Sequence, residues 1–179
     1  TGHVRIRPDR HSRRPSPLAG VDLAQESTLS ANPTFRLAAR LGFATTLLTF
    51  ALIVIGSVVR TTGSGLACPD WPLCQGRLIP AFQFNVMIEW THRLVALLVS
   101  LSMVALSVLT FARSVLRKRL GGLVVLALSL LALQILLGAL TVWKLLDPSV
   151  VSGHLGVALL IFATLLAYSR TASQAARAD

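Results

Sequence analysis

The chain has 179 residues, of which 54% are hydrophobic and 13% are charged, whereas about 25% charged residues is typical of soluble domains. Together with a mean hydropathy of +0.69 and a net charge of +10, this composition excludes an ordinary soluble domain. It favours a membrane protein with basic loops over a protein that binds nucleic acid. Two cysteines exclude a disulfide-rich scaffold and any metal site that needs four cysteines from this chain.

Residues 1–34 form a basic segment that is rich in Arg, Pro and Ser and has no apolar run. High charge and low hydrophobicity predict a disordered tail, either solvated or touching anionic lipid. A mitochondrial transit peptide is the weaker alternative. Because this segment has no hydrophobic region of its own, we expect the first apolar span to serve as the insertion signal.

Four uncharged stretches follow, each close to the roughly 20 apolar residues that cross the hydrocarbon core as a helix. They predict four transmembrane helices, at 39–59, 87–112, 120–143 and 149–169. No stretch shows the alternation of a membrane β-strand. The predicted fold is an all-α membrane protein, with a four-helix transmembrane bundle over residues 35–170, an extracytoplasmic loop that carries the cysteines, and a cytoplasmic tail at 171–179.

The basic residues orient these helices, because the cytoplasmic loops of membrane proteins are enriched in Lys and Arg. Seven Arg lie in residues 1–40, four basic residues lie in the link 113–119, and two follow residue 169, so thirteen of the 17 are on one side. We therefore predict a multi-pass protein of the bacterial plasma membrane with both termini in the cytoplasm. The loops 60–86 and 144–148 are predicted to face outward.

The first outer loop, RTTGSGLACPDWPLCQGRLIP at 60–80, contains the only two cysteines, Cys68 and Cys74. Its three Gly and three Pro predict a turn-rich backbone. The oxidising side of the membrane favours a disulfide between the two cysteines over free thiols. A disulfide that closes so short a loop is either redox-active or a structural staple.

The second span contains ionisable residues in the segment EWTHR, namely Glu89, His92 and Arg93. Ionisable groups are costly within a membrane and therefore indicate function. Glu89 precedes His92 by three residues and lies on the same helical face. It is predicted to orient a ligand, stabilise a developing cation or move protons. The alternative is a partner of Arg93 or a cap at the membrane interface.

The third span carries Gln134, Gly138 and Thr141 along one helical stripe. Small and polar residues at this spacing are typical of close helix packing in membranes. Gln134 is therefore predicted first to form an interhelical hydrogen bond and only second to contact a substrate.

The fourth span places His154 about one and a half turns inside an outer end marked by Asp147 and Pro148. His92 is predicted at a similar depth on a parallel helix. This arrangement predicts a bis-imidazole haem site, with one histidine on each side of the iron. A lone histidine is more often a packing residue, and zinc is disfavoured because no third His is in reach and the cysteines lie in the loop. Arg93 then neutralises a haem propionate or extends to the outer headgroups.

Four segments of the sequence closely resemble the haem A synthase family and together cover most of residues 56–160. They are GSVVRTTGSGLACPDWPLCQGRLIP at 56–80, EWTHR at 89–93, LQILLGALTV at 133–142 and VVSGHLGVALL at 150–160. The Cys pair, the Glu-x-x-His-Arg segment and the second His occur in the order and spacing of that family. Residues 1–34 lie outside the resemblance.

The resemblance implies an oxidoreductase that converts the C8 methyl group of haem O to the formyl group of haem A, for use in haem–copper terminal oxidases. The expected route is two successive hydroxylations followed by loss of water. The resemblance also makes His92 and His154 axial ligands of haem B or of the substrate haem O. It makes Glu89 the carboxylate that assists oxidation, and Cys68 and Cys74 the disulfide pair of the outer loop.

The alternative function is a b-type cytochrome that carries only electrons or haem, since bis-His ligation fits it equally well. The position of Glu89 and the Cys-bearing loop favour the enzyme over this carrier. A third hypothesis, an assembly factor without haem, leaves the two matched histidines without a role.

Members of the haem A synthase family usually have eight spans, built as two similar four-helix halves, whereas this sequence has four. Its carboxylate and Cys-bearing loop resemble the N-terminal half, which handles the substrate. A homodimer that completes the eight-helix arrangement is preferred to a fragment of a longer chain and to a half that pairs with another protein. The other expected partners are the lipid bilayer, the haem substrate and haem O synthase.

Overall fold

The computed structural model describes residues 33–178, and these residues form four α-helices. The helices are α1 (Pro33–Thr61), α2 (Phe84–Ala112), α3 (Ser114–Trp143) and α4 (Pro148–Ala178). Each is long and apolar enough to cross a membrane. Within the described range the backbone forms one isolated β-bridge and no strand. The prediction of an all-α, four-transmembrane-helix protein is therefore confirmed.

The helices extend beyond the predicted spans, because apolarity marks the hydrocarbon core while helical hydrogen bonding continues into the polar flanks. Helix α1 begins at Pro33, a residue whose fixed φ and missing N–H suit the first turn of a helix. Helix α4 continues to Ala178, so the predicted tail at 171–179 is helical as far as it is described. The predicted disordered tail at 1–34 lies outside the described residues, except for the two positions with which α1 begins.

The four helices pack in the ring order α1, α2, α3 and α4, each against its two neighbours. Each helix packs against the next one along the chain, and Arg113 alone, in an extended conformation, separates α2 from α3. Consecutive helices therefore run antiparallel. It follows that α2 and α4 run in the same direction and lie on one diagonal of the bundle.

Close packing is concentrated at the end of the bundle where α1 begins and α4 ends, here called the terminal end. Phe35, Leu120 and Tyr168 are fully buried there. A Cβ added to Gly42 of α1 would lie 2.8 Å from the Tyr168 Cδ1 atom, so the absence of a side chain lets the ring approach. The Tyr168 hydroxyl shares a buried hydrogen bond of 2.8 Å with that of Thr110. Tyr168 thus joins α4 to both α1 and α2.

The opposite end, here called the loop end, carries residues 62–83 and the short connection at 144–147. Below it lies a layer in which no helical residue is fully buried; this histidine layer comprises residues 50–60, 90–98, 128–138 and 148–160. Its inward-facing side chains are only half-buried, in contrast to those of the terminal end.

Candidate functional site

His92 and His154 occupy equivalent positions on the diagonal helices α2 and α4. They lie eight and six residues from the helix starts at Phe84 and Pro148, which corresponds to a rise of about 12 and 9 Å. The structure thus brings the two histidines to a similar depth on parallel helices, as predicted from the sequence.

Each imidazole lies against a glycine of the preceding helix. A Cβ added to Gly56 of α1 would lie 3.1 Å from the Cε1 atom of His92, and one added to Gly138 of α3 would lie 3.3 Å from that of His154. Both glycines are five residues from the ends of their helices, at Thr61 and Trp143. The same Gly–His contact therefore occurs twice at one level. Any larger residue would displace the ring, because close-packed interiors have little slack.

Polar atoms without partners accumulate in the histidine layer. The Nδ1 atoms of His92 and His154 are buried and have no hydrogen-bond partner in the described part of the chain. The amide Nε2 atom of Gln134 lies 3.3 Å from the Nε2 atom of His154, while the Oε1 atom of Gln134 is also buried without a partner. Each such group costs about 1–3 kcal/mol. Their concentration in one layer indicates a ligand site rather than a plain packing core.

Gln134 forms the interhelical hydrogen bond that the sequence predicted, from α3 to α4. Its partner is His154, an imidazole that the sequence had singled out for another reason. The amide thus contacts one of the two candidate ligands directly. Its second predicted role, a contact with a substrate, stays a prediction.

The donor set of this layer is a pair of imidazoles on opposite helices, which is one of the sets that bind haem iron in proteins. Among residues 33–178 there is no group of three or more His, Cys, Asp or Glu residues that could hold a metal ion. The orphaned Nδ1 atoms, the glycines beside both rings and the half-buried interior fit a flat macrocycle between α2 and α4. These residues therefore fit a haem better than a structural zinc ion.

Glu89 lies one turn before His92 on α2 and is only 4% exposed. Its Oε1 atom accepts a hydrogen bond of 2.6 Å from the Nη2 atom of Arg93, and its Oε2 atom accepts one of 2.8 Å from the backbone N–H of Cys68. Of the predicted roles, the structure shows the pairing with Arg93. The predicted catalytic role of Glu89 stays a prediction.

Arg93 contacts the loop between α1 and α2. Its Nη1 atom donates to the carbonyl oxygens of Asp70 and Leu73 at 2.6 and 2.5 Å, and its Nη2 atom donates to that of Cys68 at 2.8 Å. One guanidinium thus gathers three carbonyl groups and one carboxylate. Pairing with a haem propionate and extension to the headgroups both stay predictions for this residue.

Residues 62–83, here called the Cys loop, are closed by a disulfide between Cys68 and Cys74, both of them buried. Inside this ring the Asp70 carboxylate accepts hydrogen bonds of 2.6 and 2.8 Å from the backbone N–H groups of Gln75 and Gly76. The bond from Gly76, supported by that from Gln75, holds the pKa of Asp70 below its usual value. Gly76 has a φ of +67°, which glycine adopts without strain.

The Cys loop lies across the loop end of the bundle. The Trp71 ring meets the ring of Trp143, at the end of α3, edge-on with centroids 6.3 Å apart. A Cβ added to Gly65 would lie 3.2 Å from Leu146, in the connection between α3 and α4. Together with the contacts of Arg93, these interactions place the Cys loop over the histidine layer. The sequence located the loop between two spans but not the surface that it covers.

Sequence reasoning missed two contributors to the site. Gly56 was given no role, although an isolated glycine within a helix costs about 1 kcal/mol relative to alanine and usually has a packing reason. Asp70 was not singled out, although an Asp inside a Pro- and Gly-rich loop commonly binds backbone N–H groups of a turn. Both signals were present in the sequence.

Comparison with known proteins identifies a family and several relatives that match most of the described residues. The model of the family described as "Cytochrome oxidase assembly protein" matches residues 39–179. The chain is 35% identical to a heme A synthase of Bacillus pumilus over 136 residues, which are 73% of this chain and 44% of that protein. It is 36% identical to the heme A synthase of Exiguobacterium sibiricum over 124 residues, 66% of this chain and 41% of the relative.

A further relative is a protoheme IX farnesyltransferase of Halobacterium salinarum, 32% identical over 117 residues, which are 65% of this chain and 26% of that protein. No solved structure matches the chain. The chain spans less than half the length of each of these relatives.

Proposed function

Because the chain belongs to the family of cytochrome oxidase assembly proteins, whose model matches residues 39–179, we propose that it acts in haem A biosynthesis as a haem A synthase-like oxidoreductase. The names of its heme A synthase relatives support this assignment. Because those relatives extend well beyond the matched region, the proposal concerns the role of one four-helix unit. That role is to bind the haem substrate between α2 and α4.

The observation that carries the proposal is the pair of imidazoles in the histidine layer. His92 and His154 face the same level from opposite helices, and each has a glycine behind it. In the proposed complex His92 and His154 would hold the iron of the haem, either haem O as substrate or haem B as cofactor. Bound there, the haem would supply a redox-active iron and, in haem O, the C8 methyl group. Oxidation of that group to the formyl group of haem A needs an external electron acceptor and an oxygen atom from water or dioxygen.

Glu89 is the proposed catalytic residue. It lies on the face of α2 that carries His92 and is buried, so that its charge is poorly screened. A carboxylate in such a place stabilises positive charge nearby and accepts a proton when a C–H group beside it is oxidised. In the structure both carboxylate oxygens accept hydrogen bonds, which fixes their position before a substrate binds.

Partners and orientation belong to the same proposal. Both termini face the cytoplasm, and the Cys loop faces the oxidising side, where its disulfide is stable. A second four-helix half, from another copy of this chain or from another protein, completes the arrangement of the family. Haem O synthase is the proposed source of the substrate, and the finding of a protoheme IX farnesyltransferase relative supports a link between the two activities.

Haem analysis of membranes from cells that co-produce haem O tests the proposal. The unmodified chain is expected to hold low-spin haem and to yield haem A, and His92→Ala and His154→Ala should each lose the low-spin spectrum. Glu89→Gln keeps the shape of the side chain and removes its charge, so it should retain haem and lose most of the haem A. Asp147→Asn is the matched control, since Asp147 is an exposed carboxylate that caps the start of α4.

The outcomes of this experiment separate the enzyme from the carrier. Low-spin haem with no haem A in the unmodified chain would contradict a synthase and match a b-type cytochrome. A normal yield of haem A from Glu89→Gln would remove Glu89 from catalysis without affecting the ligand assignment. A wild-type spectrum in both histidine variants would refute the ligand assignment itself.

A further inference from the structure

Arg93 lies one residue after the candidate ligand His92, yet its side chain is directed to the Cys loop. Its two terminal nitrogens carry four N–H groups, and four acceptors surround them: three loop carbonyls and the Glu89 carboxylate. A planar guanidinium supplies several donors in a rigid fork, whereas the ammonium of lysine is a single point. The arrangement of acceptors therefore matches arginine specifically.

Cys68 and Glu89 close this arrangement into a cycle. The Cys68 N–H donates to Glu89, Glu89 accepts from Arg93, and Arg93 in turn donates to the Cys68 carbonyl. Arg93 takes part in four of the five hydrogen bonds that join these residues, Asp70 and Leu73. Removing its side chain would therefore leave a single bond between Glu89 and the loop.

The cycle is shielded from solvent, since the Arg93 and Glu89 side chains are 16% and 5% exposed. A buried carboxylate that loses its cationic partner is strongly destabilised and must move or recruit water. Glu89 is thus held in place by Arg93 as well as by its own helix.

We propose that Arg93 is a positioning residue, which holds the Cys loop on α2 and fixes the Glu89 carboxylate beside the Cys68 amide. The inference rests on the proposed function, in which Glu89 acts on a haem held by His92. In this inference one guanidinium contacts both the Cys loop and the Glu89 carboxylate, so that Arg93 couples the position of the loop to that of the carboxylate.

The accessibility of the disulfide reports how firmly Arg93 holds the Cys loop. Cys68 and Cys74 are 0% and 1% exposed, so a reductant in solution reaches their bond only when the loop opens. Loss of several charge-assisted hydrogen bonds makes such opening more frequent by at least about tenfold. The rate of reduction therefore measures how firmly the loop is held.

The experiment uses the full chain in lipid nanodiscs, a water-soluble phosphine as reductant, and timed trapping of the released thiols. Arg93→Gln should be reduced at least about tenfold faster than the unmodified chain. Arg93→Lys should be intermediate, since it keeps the pairing with Glu89 but not the three carbonyl contacts. Arg77→Gln is the matched control: Arg77 lies in the same loop, is exposed, and meets Cys74 through its backbone.

A double variant tests the link with Glu89. Glu89→Gln should speed the reduction in the unmodified chain but add little to Arg93→Gln, because the two residues act in one cycle. The yield of haem A should fall in Arg93→Gln and be partly restored in Arg93→Lys. Arg93→Met has a side chain of similar length to lysine without its charge, so it should restore none of the yield if the charge of Arg93 is needed and part of it if Arg93 serves only to fill space.

The outcomes keep this inference separate from the proposed function. If Arg93→Gln is reduced at the rate of the unmodified chain and of Arg77→Gln, the positioning role is refuted, whatever the yield of haem A. If its reduction is faster while the unmodified chain makes no haem A, the positioning role of Arg93 is supported and the synthase assignment fails. Should Arg93→Gln fail to fold, as shown by loss of its helical circular dichroism, Arg93→Lys against Arg77→Gln decides the question.

Discussion

The two glycines of the histidine layer define where the imidazoles lie. Gly56 and Gly138 have no side chain, so each ring rests almost directly on the backbone of the neighbouring helix. Glycine weakens a helix by about 1 kcal/mol relative to alanine. The precise placement of the imidazole offsets that loss, because a side chain that binds a metal must be held within a few tenths of an ångström.

Gly56→Ala and Gly138→Ala are expected to weaken haem binding by roughly tenfold, because the new methyl group pushes on the imidazole. The effect should be larger at Gly56, where the Cβ would lie 3.1 Å from the ring, than at Gly138, where it would lie 3.3 Å away. Haem titration followed by the low-spin absorption band measures this affinity. Gly122→Ala is the control, because a Cβ on that glycine of α3 meets nothing within 4 Å. Equal affinities in all three variants would contradict the role of the glycines.

Among the helices, α1 and α4 are joined by a contact that is remote from the histidine layer. Gly42 admits the Tyr168 ring, and the Tyr168 hydroxyl bonds to Thr110 of α2. In a membrane, packing of this kind rather than the hydrophobic effect holds helices together. The terminal end therefore stabilises the bundle, while the loop end carries the candidate site.

Gly42→Ala should lower the free energy of unfolding by about 1–3 kcal/mol, since its Cβ would lie 2.8 Å from Tyr168 Cδ1. Tyr168→Phe keeps the packing and loses one hydroxyl, so its effect should be smaller, about 0.5–1 kcal/mol. Reversible unfolding in mixed detergent micelles measures both values. The low-spin haem spectrum of the folded variants should remain unchanged. A Gly42→Ala variant as stable as the unmodified chain would show that α1 and α4 adjust without cost.

The two ends of the molecule differ in their charge and chemistry. The basic residues Arg36, Arg40 and Arg170 lie at the terminal end, as do the basic residues at the start of α3, which are Arg117, Lys118 and Arg119. The Cys loop and its disulfide lie at the loop end. The proposed orientation, with the terminal end in the cytoplasm, follows from the positive-inside rule. A stable disulfide at the other end is consistent with an oxidising compartment.

This orientation predicts that a green fluorescent protein fused after Asp179 folds in the cytoplasm of intact cells and fluoresces. A membrane-impermeant maleimide should label Cys68 and Cys74 from outside, and only after reduction, because the two form a disulfide. Whole-cell fluorescence and gel-shift labelling measure the two results. A dark fusion together with labelling only in lysed cells would reverse the assigned orientation.

The sequence by itself determined the number and approximate limits of the helices, because a span needs a minimum length of apolar residues. It also determined the similar depth of His92 and His154, since the rise per residue of a helix is constant and both count from marked ends. The same reasoning placed the cysteines together in one loop. All of these features depend on distance along the chain.

Only the tertiary structure decided which side chains meet. It set Gly56 against His92, directed Gln134 to His154, and turned Arg93 to the Cys loop. The physical reason lies in the rotation of each helix about its axis. A water-exposed helix reveals its inner face by polar residues on the other side, whereas a membrane helix is apolar towards both lipid and protein. Its sequence therefore specifies its length and depth far better than the direction in which each residue points.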